Sequence, residues 1–432
     1  MARIKMAYIG GGSTRAPGTM ASFIDQGENF VGSEVVLIDL DPDRLALVKT
    51  LADKMARCKG LDLTVTTTTD RRAGLADCDA VLSSFRPGGF QARVLDESIP
   101  RKYGVIGQET QGPGGFFMAL RSLHVMQGIV EDLRAVAPKA IVFNYTNPVN
   151  IVAQAVTQYT DTPIVSLCEG PLIYPAEVVE AAGLDPDKAD VASIGLNHAS
   201  WSVRQTYDGE DLIPLLTAAW QQREDDPTLR PGIRRMWELA VLYGSLPTEY
   251  MQYYFFEREM LEYLRNKPTT RAQDILANAP DYWNHYREQA ATDCPTLDPA
   301  RSRGGIHELE LAIDCMDAIF NDRQETMPVN VPNRGAIPGL PDDLVVETVG
   351  YVDAAGIAPL ALGPLPRPVT GLIEALGEYQ WLAAKAAWRG GRREAIQALV
   401  ANPLCSDLHL AETIYDEMAA ALRDYLPERL LH

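Results

Sequence analysis

The sequence predicts an α/β protein: a doubly wound parallel sheet in the N-terminal part, followed by a mostly helical α+β part. Two observations carry this reading. Up to about residue 170, short Val- and Ile-rich runs alternate with helical patterns: Ile4–Ile9, Val35–Ile38, Leu63–Thr67, Ala80–Ser84, Ala140–Phe143 and Ile164–Leu167. Such alternation implies parallel strands with helices on both faces. Beyond Gly170 the pattern lengthens into helical stretches, Pro231–Leu264, Gly305–Phe320 and Pro368–Leu426, with a few strand-like runs such as Val191–Leu196 and Asp343–Val352. We therefore expect two domains, residues 1–170 and 171–432, each long enough for its own core. Pro332–Pro341 reads as an ordered loop within the second part, and no internal repeat is visible.

The first strand runs into Gly10, Gly11, Gly12, Ser13 and Thr14, and the second ends in Asp39. Glycine lets the backbone turn off a strand and approach a pyrophosphate, whose charge then rests on the N-terminus of the next helix. An acid at the tip of the second strand accepts both ribose hydroxyls, so Asp39 favours NAD over its 2′-phosphorylated form. This makes residues 1–170 an expected Rossmann-type, NAD-binding domain. In the G-x-G-x-x-G pattern Gly10 and Gly12 fill the first two places, while Arg15 stands in the third.

Composition narrows the partners. A 46% hydrophobic, 22% charged chain has ordinary globular make-up. A net charge of −19 argues against nucleic acid, whose binding draws on a basic patch. No apolar window reaches the ~18 residues of a membrane span, and the first residues do not read as a secretory signal. We expect a cytoplasmic protein with a small-molecule substrate. The six cysteines, Cys58, Cys78, Cys168, Cys294, Cys315 and Cys405, show no paired spacing and read as free thiols.

In an open parallel sheet, ligands gather beyond the carboxyl ends of the strands. The residues there are polar: Arg86 after the fourth run, Asn147 after the fifth, Cys168 and Glu169 after the sixth, and Asn197 and His198 after Val191–Leu196. Thiolate plus imidazole suits a divalent transition metal with open positions for substrate. The same two types also serve as a core cysteine and a hydrogen-bonded histidine. A second dense patch holds Arg86, Arg93, Asp96, Glu97, Glu109 and Arg121 around Gly112-Pro-Gly-Gly115, a turn expected ahead of a helix beginning near Phe116. These arginines either hold an anionic substrate or pair with the neighbouring acids.

Taken together, several segments resemble glycoside hydrolase family 4, the NAD- and divalent-metal-dependent glycosidases, over nearly the whole chain. They are Ile9-Gly-Gly-Gly-Ser13, Arg86-Pro-Gly-Gly89 through Asp96-Glu97, Gly107-Gln-Glu-Thr110 with Gly112-Pro-Gly-Gly115, Asn144-Tyr-Thr-Asn-Pro148, Cys168, Gly195-Leu-Asn-His198, Tyr250-Met-Gln-Tyr-Tyr254, Arg303-Gly-Gly305 and Val329–Pro338. The Gln-Glu-Thr block and the arginine-bearing strand end are most similar to the 6-phospho-glycosidases of that family. The resemblance implies a redox-assisted elimination instead of a two-carboxylate displacement. NAD would take a hydride from C3 of the sugar, and a metal, Mn²⁺ in expectation, would sit on Cys168 and His198 and polarise the C2 and C3 oxygens. Tyr250 would remove the C2 proton, the aglycone would leave, water would add and the hydride would return. In the family the residue after the metal cysteine is an acid in phospho-α-glucosidases, an asparagine in phospho-β-glucosidases and a histidine in several enzymes acting on unphosphorylated sugars; the resemblance thus makes Glu169 an acid suited to protonate the leaving group or to orient the metal site, and leaves the anomer open. Arg86, Arg93 and Arg303 are the candidates for a 6-phosphate, with Asn147 and Asn197 also at the sugar. The resemblance further implies a homodimer or homotetramer. The expected activity is that of a 6-phospho-β-glucosidase, with 6-phospho-α-glucosidase or action on unphosphorylated glycosides as alternatives within the family.

Two other classes compete. Thr146-Asn-Pro-Val149 is similar to the lactate and malate dehydrogenases, whose overall fold matches the expectation here, so a 2-hydroxy-acid dehydrogenase is the rival enzyme. Their Gly-x-His-Gly block is not found in this sequence. A non-enzymatic NAD sensor would have no use for Cys168, His198 and Tyr250 together.

Overall fold

The computed structural model describes residues 1–303 and 310–432, so the parts of Arg303–Gly305 and Gly305–Phe320 that fall on 304–309 lie outside the described residues. Six parallel strands form the N-terminal half of the sheet: β1 (Lys5–Ile9), β2 (Ser33–Ile38), β3 (Leu63–Thr68), β4 (Ala80–Ser83), β5 (Ile141–Asn144) and β6 (Ile164–Ser166). Their order, β3-β2-β1-β4-β5-β6, is that of a dinucleotide-binding sheet with its switch point between β1 and β4. Both faces are buried, which is why the strands read as continuous apolar runs. Met6 and Tyr8 of β1 join one core with Val35 and Leu37, while Ala7 and Ile9 join the opposite core with Val36 and Ile38.

The chain beyond Gly170 extends the same sheet. Strands β7 (Ala189–Leu196), β8 (Ala199–Tyr207), β9 (Glu210–Asp211), β10 (Glu325–Pro332), β11 (Val345–Asp353) and β12 (Gly356–Pro359) follow. The order continues β6-β10-β11-β7-β8-β9, with β12 on β11. Antiparallel β10 joins β6 at Asn330 opposite Ser166, and β11 joins β7 at Glu347 opposite Gly195. Helix Thr370–Arg389 packs on Gly112–Val136 and Val149–Tyr159, so the C-terminal helices cover one face of the N-terminal sheet.

Several elements are shorter or earlier than the pattern predicts. Pro231–Leu264 is interrupted after Tyr243, where Gly244 takes the left-handed conformation (φ 65°), and resumes through a 3-10 turn at Glu249–Met251. Pro368–Leu426 divides at Gly390 and Pro403 into Thr370–Arg389, Arg392–Ala401 and Leu408–Ala421. The helix expected near Phe116 starts at Gly112, with Pro113 in the first turn, where its missing N–H costs nothing. Gly114 and Gly115 let that turn lie against the Gln108–Thr110 loop: a Cβ at Gly114 would meet the Gln108 carbonyl oxygen at 2.3 Å.

The expectation of free thiols fails at one pair. Cys58 and Cys294 form a disulfide, 236 residues apart in sequence. The end of helix Pro42–Lys59 lies against the segment after helix Arg271–Ala290, where Lys54 Nζ donates to the Ala290 and Thr292 carbonyls at 2.7 Å. Cys78, Cys168, Cys315 and Cys405 are free. Among the described residues, no helix is long and apolar enough to cross a membrane.

Candidate active site

The β1 turn is built as a cradle. Gly10 has φ 97°, and a Cβ there would sit 2.0 Å from the Ser84 carbonyl oxygen at the end of β4, so only glycine fits. The amides of Gly10 and Gly11 both donate to the Ile38 carbonyl, and Gly12 N donates to Asp39 Oδ2 at 2.9 Å. Asp39 is thus fixed at the tip of β2, beside the glycine turn. Ser13 Oγ is buried with no hydrogen-bond partner, a donor left over inside the cradle. Thr14 offers its carbonyl to the Tyr286 hydroxyl at 2.8 Å, and Arg15 precedes helix Ala16–Asp25. A glycine turn, a helix N-terminus, an unspent hydroxyl and an acid on the second strand together fit a dinucleotide such as NAD.

Cys168 follows β6, and His198 sits with Asn197 in the two-residue turn between β7 and β8, where it takes φ 63°. The structure brings them together: Cys168 Sγ lies 3.8 Å from His198 Nε2. Thr110 Oγ1 holds His198 Nδ1 at 2.9 Å, which leaves Nε2 aimed at the sulfur. Burial lowers the imidazole to about 3 against the pull of Glu109, so it is neutral, as a metal ligand must be. Burial, then Glu347, pushes the Cys168 thiol up to about 12 against donors from Gly170 and Asn197; a bound cation acts in the opposite direction. The donor set fits a divalent transition metal. Among the described residues no third His, Cys, Asp or Glu completes a cluster, so substrate or solvent oxygens would fill the remaining positions.

Tyr250, in the 3-10 turn, stacks on the His198 ring with centroids 3.6 Å apart and planes 8° from parallel. Burial, Tyr174, Glu109 and Cys168 hold its hydroxyl well above the ordinary phenol range. Only a cation nearby would favour its ionised form. Glu169 accepts from the Tyr145 hydroxyl at 2.7 Å, and burial raises it to about 7 against donors from Tyr145 and the Leu311 amide. A carboxyl that is half protonated near neutrality suits a general acid. Asn147 precedes a cis peptide bond to Pro148, and Ser122 Oγ donates to its carbonyl.

The arginines converge on one carboxylate. Glu109 pairs with Arg86 at 2.6 Å and with Arg93 at 2.7 Å. Burial raises the Glu109 carboxyl, but Arg93, Arg86, Arg15 and Arg303 outweigh it and hold the group at about 2. The guanidiniums of Arg303 and Arg86 both lie over the Phe90 ring, at 4.4 and 5.6 Å. Arg93 also binds Glu97, and Arg121 is buried in a two-pronged pair with Asp96. Both sequence readings of this patch therefore coexist: Glu109, Glu97 and Asp96 pair with Arg86, Arg93 and Arg121, and the guanidiniums of Arg86 and Arg303 gather over the Phe90 ring.

Sequence reasoning missed Glu347. Only 1% exposed, it accepts from Asn197 Nδ2 at 2.9 Å and Ser200 Oγ at 2.6 Å. Its signal was an acid inside the apolar run Asp343–Val352. Asn197, expected at the sugar, spends its amide on Glu347.

Fold and site define a class: an α/β protein of dehydrogenase-like fold with a glycine-turn dinucleotide cradle and a Cys168–His198 pair whose donors suit a divalent metal. A malate dehydrogenase from Plasmodium falciparum shares the fold alone, with TM-score 0.54 and 10% identity over 89% of this chain and 100% of its own. Two family descriptions match the sequence: Family 4 glycosyl hydrolase over residues 5–184 and Family 4 glycosyl hydrolase C-terminal domain over residues 193–405. A probable 6-phospho-beta-glucosidase of Bacillus subtilis is 35% identical, with 98% of each chain covered. The 6-phospho-beta-glucosidase of Thermotoga maritima, solved with manganese, NAD+ and glucose-6-phosphate, has TM-score 0.85 and 26% identity over 98% of this chain and 99% of its own. A 6-phospho-alpha-glucosidase from gut microorganisms, solved with NAD and Mn2+, has TM-score 0.88 and 26% identity over 99% of both chains. The chain belongs to family 4 of the glycosyl hydrolases.

Proposed function

We propose that this chain is an NAD- and Mn²⁺-dependent 6-phospho-β-glucosidase. The observation that carries the reading is the site's juxtaposition: the Cys168–His198 pair, 3.8 Å apart, with the His198 ring stacked on Tyr250 and the guanidiniums of Arg86 and Arg93 closing on Glu109, next in sequence to the Thr110 that holds His198. Guanidinium forks bind the oxygens of a phosphate monoester in bidentate fashion. The names of the relatives support the phosphorylated glucoside, and the 35% identical relative favours the β anomer.

Bound in this site, NAD supplies a hydride acceptor and a divalent cation supplies a Lewis acid for the sugar's C2 and C3 oxygens. The chain's residues do the rest. Gly10, Gly11, Gly12, Ser13 and Thr14 cradle the pyrophosphate, and Asp39 accepts the ribose hydroxyls. Cys168 and His198 hold the cation, with Thr110 fixing the imidazole tautomer. Arg86 and Arg303, stacked on Phe90, take the 6-phosphate, with Arg93 behind them on Glu109. Asn147 orients the sugar hydroxyls. Tyr250 removes the proton from C2, and Glu169 delivers one to the departing oxygen. Residues 1–170 hold the dinucleotide in this scheme, and residues 171–432 supply His198, Tyr250 and Arg303. A homodimer or homotetramer acting in the cytoplasm completes the reading, because a charged 6-phosphate ester does not cross a bilayer unaided.

The test is hydrolysis of p-nitrophenyl glycosides crossing anomer, gluco or galacto configuration, and presence of the 6-phosphate, with NAD, Mn²⁺ and reductant. Activity on the 6-phospho-β-glucoside, lost with chelator and restored by Mn²⁺, is the expected result. Silence across the panel, with NADH accumulating from a 2-hydroxy acid, would overturn it in favour of a dehydrogenase.

A further inference from the structure

We infer that Glu347 is a positioning residue for the metal site: its carboxylate clamps the β7–β8 turn that presents His198. The inference rests on the metal reading of Cys168 and His198 given above.

Ser166 on β6 pairs with Asn330 on β10, Asn330 with Glu347 on β11, Glu347 with Gly195 on β7, and Gly195 with Ser200 on β8. Five residues thus lie in one row across the sheet. Cys168 stands two residues past one end of that row, and His198 belongs to the turn that closes the other. Glu347 is in the middle, and its two oxygens divide the work. Oε2 accepts from Ser200 Oγ at 2.6 Å, two residues after His198. Oε1 accepts from Asn197 Nδ2 at 2.9 Å, one residue before it, and from Asn330 Nδ2 at 3.4 Å. The His198 turn is therefore gripped on both sides by one carboxylate.

This grip is needed because His198 holds φ 63°, a left-handed conformation that a side-chain-bearing residue keeps only where its surroundings enforce it. Glu347, Asn197, Ser200 and Asn330 are all at most 5% exposed, so no water competes for these bonds. Partners that orient ligands in this way typically change metal affinity by about 10–100-fold when removed.

The test is Co²⁺ titration of the full-length protein with NAD bound, reading the sulfur-to-cobalt charge-transfer band and the dissociation constant, with NAD affinity as the fold control. Cys168→Ser, which removes the sulfur, reports on the metal reading itself. Glu347→Ala should weaken Co²⁺ about 10–100-fold and alter the band, with NAD affinity within about twofold of the parent. Glu347→Gln, which keeps the shape and an acceptor, should recover most of that affinity. Ser200→Ala trims one bond of the same clamp and should weaken Co²⁺ less; it carries the test if Glu347→Ala does not fold, and a double variant should be non-additive. Co²⁺ affinity within twofold of the parent in Glu347→Ala, or an equal loss in Glu347→Gln, would overturn the clamp while leaving the metal reading intact. A parent protein with no sulfur-to-cobalt band, unchanged by Cys168→Ser, would overturn both.

Discussion

Replacing Glu109 by glutamine removes the one carboxylate on which Arg86 and Arg93 both close, at 2.6 and 2.7 Å. The size of the effect follows from the depressed carboxyl, which stands at about 2 against an ordinary 4.5. At about 1.4 kcal/mol per unit, that depression contributes about 3 kcal/mol of stability at neutral pH. The sign is set by the folded value lying below the unfolded one. The contribution is complete above about pH 4.5 and drains away as the pH falls towards 2. The Glu109→Gln side chain is neutral throughout and never has it. Urea unfolding should therefore place Glu109→Gln below the parent by about 3 kcal/mol at pH 7, with about half of that gap gone at pH 3. A gap equal at the two pH values would refute the account, because the variant's defect would then owe nothing to the Glu109 charge.

The N-terminal sheet was legible because burial on both faces forces unbroken apolar runs, and a run of Val and Ile between glycine-bearing turns has few other readings. β8 was not: Ala199–Tyr207 mixes Ser, Arg, Gln and Thr near the sheet's far edge, and its polar residues hide the period. β10 carries Pro328 and Pro332, residues that argue against a strand inside a sheet, although it lies between β6 and β11. Arg86, Asn147, Cys168, Glu169, Asn197 and His198 of the candidate site were legible one by one, since strand ends are where ligands gather, whereas Tyr250 and Arg303 entered only through the family resemblance. The site's assembly was not legible. Between β6, which leads to Cys168, and β7, which leads to His198, stand β10 and β11, contributed from more than a hundred residues further along the chain. No local pattern reports such an insertion. The same distance concealed Glu347, which reaches Asn197 and Ser200 across about 150 positions, and the Cys58–Cys294 disulfide.

Gly10→Ala puts a methyl 2.0 Å from the Ser84 carbonyl oxygen on a backbone with φ 97°. The dihedral alone costs about 1–3 kcal/mol, and the contact pushes the β4 end that carries Arg86. NAD affinity, followed by quenching of protein fluorescence, should fall about tenfold or more; an unchanged affinity would mean that the cofactor does not use this turn. Tyr250→Phe separates the two things Tyr250 does. The ring stacked 3.6 Å from His198 remains, so metal and NAD binding should stay within about twofold of the parent. The hydroxyl is gone, so exchange of the C2 proton with solvent deuterium and turnover should fall together, by about a hundredfold or more if this is the base. Loss of metal binding would instead make Tyr250 a packing residue for His198. Full C2 exchange with full turnover would send the search for the base to Tyr174, whose ring meets Tyr250 edge-on at 6.1 Å.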